Sequence, residues 1–289
     1  MRVAVASGKG GTGKTTVAVN LARYLIGEGK EVSFIDCDVE EPNAHFFLIQ
    51  EFDEEFKEYV TVPEIDTQKC LGESCKKCVQ ECRFKSLIWM VSEVLVFPEL
   101  CHSCELCKLV CPAQAVLDGQ REIGTVRHAR KDKLKFYSGL LRIGEAMAPP
   151  LIRKVKEYAN PGDVQILDCP PGTSCPVIES LERADFVVLV TEPTPFGLND
   201  LKLAVELTRK LNYPFGVVIN RDGMGDDAVL RYLDAENIPV LARFPHVQEA
   251  AQAYSQGKLL VDAFPEFKGL YQGLWMEINK LTDGLGGAR

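Results

Sequence analysis

Gly8-Lys9-Gly10-Gly11-Thr12-Gly13-Lys14-Thr15 is the stretch that decides how this chain reads. It satisfies G-x-x-x-x-G-K-[ST], the phosphate-loop pattern. Glycines let successive backbone N–H groups turn inward around phosphate oxygens with no Cβ in the way. A helix starting at the end of the loop adds the positive end of its dipole. Lys14 supplies a cation to the β and γ phosphates, and Thr15, followed by Thr16, offers a hydroxyl to Mg²⁺. The surroundings agree. Residues 2–7 read as a short buried strand, and from Lys14 onward Val17, Leu21 and Leu25 share one helical face until Gly27 and Gly29. Residues 31–36 (EVSFID) read as a second strand. Strand, glycine turn, helix and strand make a βαβ unit, whose strands run parallel.

Working outward, the second half repeats this rhythm. Apolar runs at 164–168, 186–190, 215–219 and 239–241 alternate with helical patterns at 198–211 and 225–236. A last amphipathic helix carries Leu270, Leu274, Ile278 and Leu281. The expected fold is α/β: a doubly wound, mostly parallel sheet with helices on both faces. Residues 60–120 break the pattern and read as a small inserted α+β domain, leaving 1–59 and 121–289 for the nucleotide-binding domain. Residues 121–135, rich in Arg, Lys and His, read as a return linker or a docking strip.

The insert holds eight of the chain's 11 cysteines. Such a dense cluster reads as metal binding rather than as a disulfide scaffold. Cys101-x₂-Cys104-x₂-Cys107-x₃-Cys111-Pro112 is the bacterial ferredoxin run, in which the fourth thiolate reaches a second cluster. Cys70-x₄-Cys75-x₂-Cys78-x₃-Cys82 is its irregular counterpart, with Arg83 where proline is usual. Two [4Fe–4S] clusters need eight thiolates. By ferredoxin logic one takes Cys70, Cys75, Cys78 and Cys111, and the other Cys101, Cys104, Cys107 and Cys82. The longer first interval makes Cys70 the least regular ligand.

The 289 residues carry a formal charge of −8 and no basic run, which argues against a nucleic-acid grip. No apolar stretch approaches the roughly 20 residues of a spanning helix, and no signal peptide is visible. A cytoplasmic protein with no stable membrane anchor is expected. Asp38 follows the second strand, and Asp168 ends a later one ahead of Cys169-Pro170-Pro171-Gly172-Thr173. Acids at these carboxyl edges face the ligand and suit Mg²⁺, for Asp168 through water.

Lys9 adds a second lysine to the loop. Lys9-Gly10-Gly11-Thr12-Gly13-Lys14-Thr15-Thr16 resembles the deviant phosphate loop of the MinD, Mrp and nitrogenase iron-protein superfamily. Asp168 to Pro176 and Val190 to Gly197 look like the same group. With the cysteine segment, the chain resembles members that carry an inserted two-cluster ferredoxin domain, over essentially its whole length. The resemblance implies an Mg²⁺-dependent ATPase that forms a nucleotide-dependent homodimer, with Lys9 reaching the phosphates of the other subunit. No arginine lies in the loop, so a partner's Lys9 is the substitute for an arginine finger, and hydrolysis should depend on dimerisation. Asp38 is implied to orient the attacking water, with Asp36 as its support or as a strand-end cap. The Gly172 turn fits a γ-phosphate sensor. Asn220 reads as the family's adenine-reading residue or as an ordinary strand-end turn residue. Cys175 stands where the nitrogenase iron protein has a cluster ligand, but residues 112–168 hold no cysteine to complete a bridging set. Cys175 is therefore read as a buried thiol or as a holder of a transient cluster, with the buried thiol the expectation, and core thiols are expected at Cys37 and Cys169.

Three functions are consistent with these residues. One is an ATP-gated protein passing electrons through two clusters to a redox partner. Another is an Mrp-like carrier handing a cluster to an apo-acceptor. The third, a MinD-like positioning ATPase, lacks the basic amphipathic end that such proteins often use.

Overall fold

The computed structural model describes residues 1–286. Its strands are β1 Arg2–Ala6, β2 Val32–Asp36, β3 Glu54–Ile65, β4 Leu87–Met90, β5 Glu93–Val96, β6 Val116–Lys131, β7 Leu134–Leu141, β8 Val164–Asp168, β9 Phe186–Thr191, β10 Phe215–Asp222 and β11 Val240–Pro245. Nine of them form one sheet in the order β11-β10-β9-β1-β8-β2-β7-β6-β3, and β4 pairs with β5 alone. From β11 to β7 every neighbouring pair is parallel, whereas β6 and β3 are antiparallel. The mostly parallel sheet is thus the expected one, with an antiparallel edge.

Both faces of the parallel part are covered, so its central strands β1, β2, β8 and β9 are buried almost throughout, while the edge strand β11 is half exposed. On one face Phe34, Phe136 and Ile166 pack under Leu21 and Leu25 of helix Lys14–Gly27 and Tyr271, Leu274 and Ile278 of helix Pro265–Gly286. On the other, Ile35, Leu167 and Val187 pack under helices Pro149–Glu157, Cys175–Leu181, Pro195–Lys210 and Ala228–Ala235. No helix among the described residues is long and apolar enough to cross a membrane.

The structure differs from the sequence reading between residues 121 and 141. Residues 121–131 are not a linker but the second half of β6, paired as far as His128 with β3 on one side and, from Gly124 onward, with β7 on the other. β7 carries Ser138 and Gly139 inside it, so no continuous apolar run marks it. Gly139 is required there because a Cβ would stand 2.6 Å from Val39 Cγ1 and 2.8 Å from Val155 Cγ2.

β3 and β6 run on past the sheet as a two-stranded ribbon. The β6–β7 pairing stops at Gly124↔Leu141, and the β3–β6 register slips between Glu58 and Tyr59. Glu58 pairs with Gly124 but Tyr59 with Glu122, so Ile123 is an extra residue on β6. A bulge of this kind bends the strand and raises its twist. Beyond it the ribbon continues to Ile65↔Val116 and carries residues 66–115 at its tip.

Candidate functional site

The phosphate loop sits at the carboxyl ends of β1, β8 and β2, where Val5, Asp168 and Asp36 stand side by side in register. Two glycines owe their identity to close approach. A Cβ on Gly8 would meet the Asp200 carbonyl oxygen at 2.1 Å, and one on Gly13, whose φ is +87°, would meet Asn220 Nδ2 at 2.1 Å. Asn220 Nδ2 donates to the Thr12 carbonyl at 2.8 Å, so that side chain braces the loop from β10. The Gly172 N–H donates to the Ser7 carbonyl and ties the Pro171-Gly172 turn to the loop's entrance.

Lys14 Nζ lies 2.7 Å from Asp168 Oδ1 in a buried ion pair. Burial lowers the lysine's proton affinity, but Asp168, Asp38 and Asp36 together outweigh that and hold it above its ordinary value. Asp36 is fully buried and accepts backbone N–H bonds from Asp38 and Ala44, which shape the segment between them. Burial, then the neighbouring Asp168 charge, push its carboxyl well up. Asp38 is pushed up to about 6, chiefly by burial, against the pull of Lys14. Buried Thr12 Oγ1 and Asp168 Oδ2 have no partner among the described atoms. Unpaired buried acceptors beside a cationic loop are where an additional donor or cation fits.

The cleft in front of this edge measures about 570 Å³, within the usual range for small-molecule sites. Lys9, Gly10, Gly11, Gly13, Lys14, Thr15, Thr16, Asp38 and Asn220 all line it, while Gly8, Thr12 and Asp168 do not, and Asp168 touches the lining through Lys14. Sequence reasoning missed Arg221, Met224, His246, Tyr254 and Phe267, which line the far wall. Arg221, Met224 and His246 lie at or just beyond the ends of β10 and β11, the edge where doubly wound sheets bind ligands. No pattern in the chain flags Tyr254 and Phe267. Lys9 Nζ lies 6.0 Å from the centroid of the exposed Phe196 ring.

The eight clustered cysteines line two cavities. Cys70, Cys75, Cys78 and Cys111 share one, and Cys82, Cys101, Cys104 and Cys107 the other. Among the described residues, no three His, Cys, Asp or Glu converge tightly enough for a single metal ion. Burial raises the Cys78 thiol, and the charges of Cys111, Cys70 and Cys75 add to it. Burial likewise pushes Cys107 up to about 11, with Cys101 and Cys104 adding to it. Thiols so grouped ionise together only around a cationic centre. Cys82 is the exception. Burial opposes its ionisation, but the Ser86 hydroxyl and the N–H groups of Ser86, Phe84 and Leu87 hold its thiol below the usual value. Ser103 N–H and Ala115 N–H donate to the sulfurs of Cys101 and Cys111. Cys37 and Cys169 are buried, as expected. Cys175 is exposed, against expectation, because it opens helix Cys175–Leu181 on the solvent side.

This fold and loop define a nucleotide-binding α/β protein, and comparison with known proteins places it further. Residues 3–261 match the CobQ/CobB/MinD/ParA nucleotide-binding domain, and the chain belongs to that family. It is 32% identical over 235 residues to an uncharacterized protein, MJ0579, of Methanocaldococcus jannaschii, covering 78% of this chain and 82% of that one. It is 27% identical over 284 residues to a protein of Pseudomonas fragi named iron-sulfur cluster carrier protein, covering 91% and 79%. In fold it is similar to the septum site-determining protein MinD of Pyrococcus horikoshii complexed with Mg-ADP. The TM-score is 0.59 at 20% identity, with 96% of each chain covered.

Proposed function

We propose that the chain is an ATP-hydrolysing iron–sulfur protein in which residues 60–120 form a two-cluster, ferredoxin-like insert and nucleotide state governs electron transfer to a redox partner. The observation that carries this reading is the four-and-four division of the cysteines between two cavities on a ribbon of the sheet that holds the phosphate loop. The donor sets fit [4Fe–4S] clusters, and bound clusters supply one-electron chemistry. Cys70, Cys75, Cys78 and Cys111 hold one, and Cys82, Cys101, Cys104 and Cys107 the other.

Lys14 exchanges its contact with Asp168 for a phosphate oxygen. Thr15 is the hydroxyl ligand of Mg²⁺, with Asp168 and Asp38 completing its surroundings. Asp38 aligns water for attack, and Asn220 closes the nucleotide side of the loop. Lys9, on the loop's outer side next to Phe196, reaches the phosphates of a second copy, so turnover requires a nucleotide-dependent homodimer. The surroundings are those of a reducing cytoplasm, where clustered thiols persist.

A second reading is that of a carrier delivering a cluster to an apo-acceptor protein. The iron-sulfur cluster carrier relatives favour it. Anaerobic purification with iron and sulfide counting tests the shared premise: about eight of each per chain are expected for two clusters. Cys104→Ser should remove about half of both, and zinc in their place overturns the premise. Added ATP then separates the two readings. A change in cluster reduction rate supports electron transfer, whereas passage of iron to an apo-ferredoxin supports delivery.

A further inference from the structure

The two cysteine cavities are tied to the rest of the molecule unequally. Just beyond the Ile123 bulge, Arg121 turns inward from β6, with only 4% of its side chain exposed. Its Nη1 pairs with the fully buried Glu145, in the loop after β7, and its Nη2 donates to the Cys101 carbonyl at 3.2 Å. Arg142, in the same loop, donates to Glu99 at 2.8 Å, two residues before Cys101. Together these hold the backbone on which Cys101 sits.

The same loop is bonded to the nucleotide edge. The N–H of Leu141 donates to the carbonyl of Val39, the residue after Asp38, at 2.8 Å. The next N–H, of Arg142, donates to the bulge residue Ile123, and Glu145 N–H returns to the Arg142 carbonyl. Direct contacts therefore run from Asp38-Val39 through Leu141, Arg142, Glu145 and Arg121 to Cys101. The cavity of Cys70, Cys75, Cys78 and Cys111 has no such connection. Among the described residues, no hydrogen bond or ion pair from its lining reaches the sheet below the bulge.

We propose that Arg121 is the positioning residue of the Cys82, Cys101, Cys104 and Cys107 site, and that Glu145 and Arg142 join it to the Asp38 segment, so that nucleotide acts on this site and bypasses the other. The inference rests on the iron–sulfur reading above and adds to it which site responds and through which side chains. A buried arginine and glutamate hold each other in place because neither can be left unpaired in the interior. Displacement of the Asp38-Val39 backbone thus has a continuous run of hydrogen bonds and one buried ion pair through which to reach the Cys101 carbonyl. Spatial contact alone does not establish coupling, so the coupling itself is what must be measured.

The experiment is a redox titration of the anaerobically purified full chain, with and without Mg²⁺ and a non-hydrolysable ATP analogue. Iron counting comes first. A wild-type chain without iron removes the parent reading, and this inference with it. With both clusters present, Cys104→Ser assigns which reduction wave belongs to which site. The Cys101 site's wave should shift by about tenfold in its reduction equilibrium, about 59 mV for a one-electron couple, while the other stays in place. The double variant Arg121→Gln, Glu145→Gln removes both charges and leaves none unpaired. It should keep its iron and its nucleotide affinity and lose the shift. Arg142→Ala, at a more exposed position, should keep the fold and reduce the shift, and it decides the matter if the double variant does not fold. Waves that move equally, waves that both stay still, or a full shift surviving in the variants overturn the inference while leaving the iron–sulfur reading intact.

Discussion

Around the phosphate loop, Lys14, Asp36 and Asp168 are locked into a sheet covered on both faces. Between residues 66 and 115 only Ser86, Leu87, Val94, Cys101 and Ala115 are buried. The first region is held by its core. The second is a short excursion with almost none, and chains that short usually need a metal or a disulfide to stay ordered. All of its cysteines are free thiols. The difference teaches that one chain has two sources of order: apolar burial around the phosphate loop and, in the reading proposed above, metal ligation at the ribbon's tip.

The largest test of this division is Lys9→Ala. If Lys9 replaces an arginine finger across a dimer, turnover should fall by roughly 10³-fold or more while nucleotide still binds, as read by steady-state hydrolysis and a binding titration. A monomeric variant that hydrolyses ATP at the wild-type rate removes the role in trans.

Next in size is Lys14→Ala. It deletes the phosphate cation and leaves Asp168 and Asp36 buried together without it. Affinity should drop by at least about 100-fold, or 2.7 kcal/mol, in calorimetric titration. Iron content should not change. Loss of iron in this variant would break the separation between the two regions.

Iron removal is the converse. Anaerobic chelation should collapse hydrogen-exchange protection across 66–115 and leave β1, β8 and β9 protected. Protection of 66–115 that survives chelation would show that something other than metal orders the tip.

The smallest effect is on pH. Asp38 is held up to about 6 in the folded protein, against 3.8 for an ordinary aspartate. The folded state therefore binds this proton more tightly than the unfolded one. Its contribution to stability is full below the ordinary value and is lost as pH rises toward about 6. Without nucleotide, this group makes the protein less stable at pH 7 than at pH 4. Turnover runs the other way: it needs the ionised carboxylate and should decline several-fold as pH falls below about 6. A flat rate profile between pH 5 and 7 removes Asp38 from the water-aligning role.

Much of the nucleotide edge was readable because its chemistry is local. Eight consecutive residues make the loop, and Asp38, Asp168 and Asn220 announce themselves by following apolar runs. The far wall was not readable. Tyr254 and Phe267 lie on helices near the carboxyl end of the chain and meet the loop only when the sheet folds. β7 was missed because Ser138 and Gly139 interrupt its apolar pattern, although the close packing of Val39 and Val155 demands the glycine. Residues 121–131 looked like a solvated connection because charge is dense there; Ile123 and Val126 are nonetheless buried in the core on one side of the sheet and Ala129 in the core on the other.

The sequence by itself determined the phosphate loop, the parallel sheet around it and the spacing of the cysteines, since each depends on residues adjacent in the chain or on a repeating apolar period. The cysteine spacing already implied two sets of four; tertiary structure alone decided that the ribbon bends at Ile123 and that Arg121 bonds Cys101 to the loop beyond β7. Those outcomes depend on pairings between residues dozens of positions apart. Only strand register brings them together, and no local pattern encodes that register.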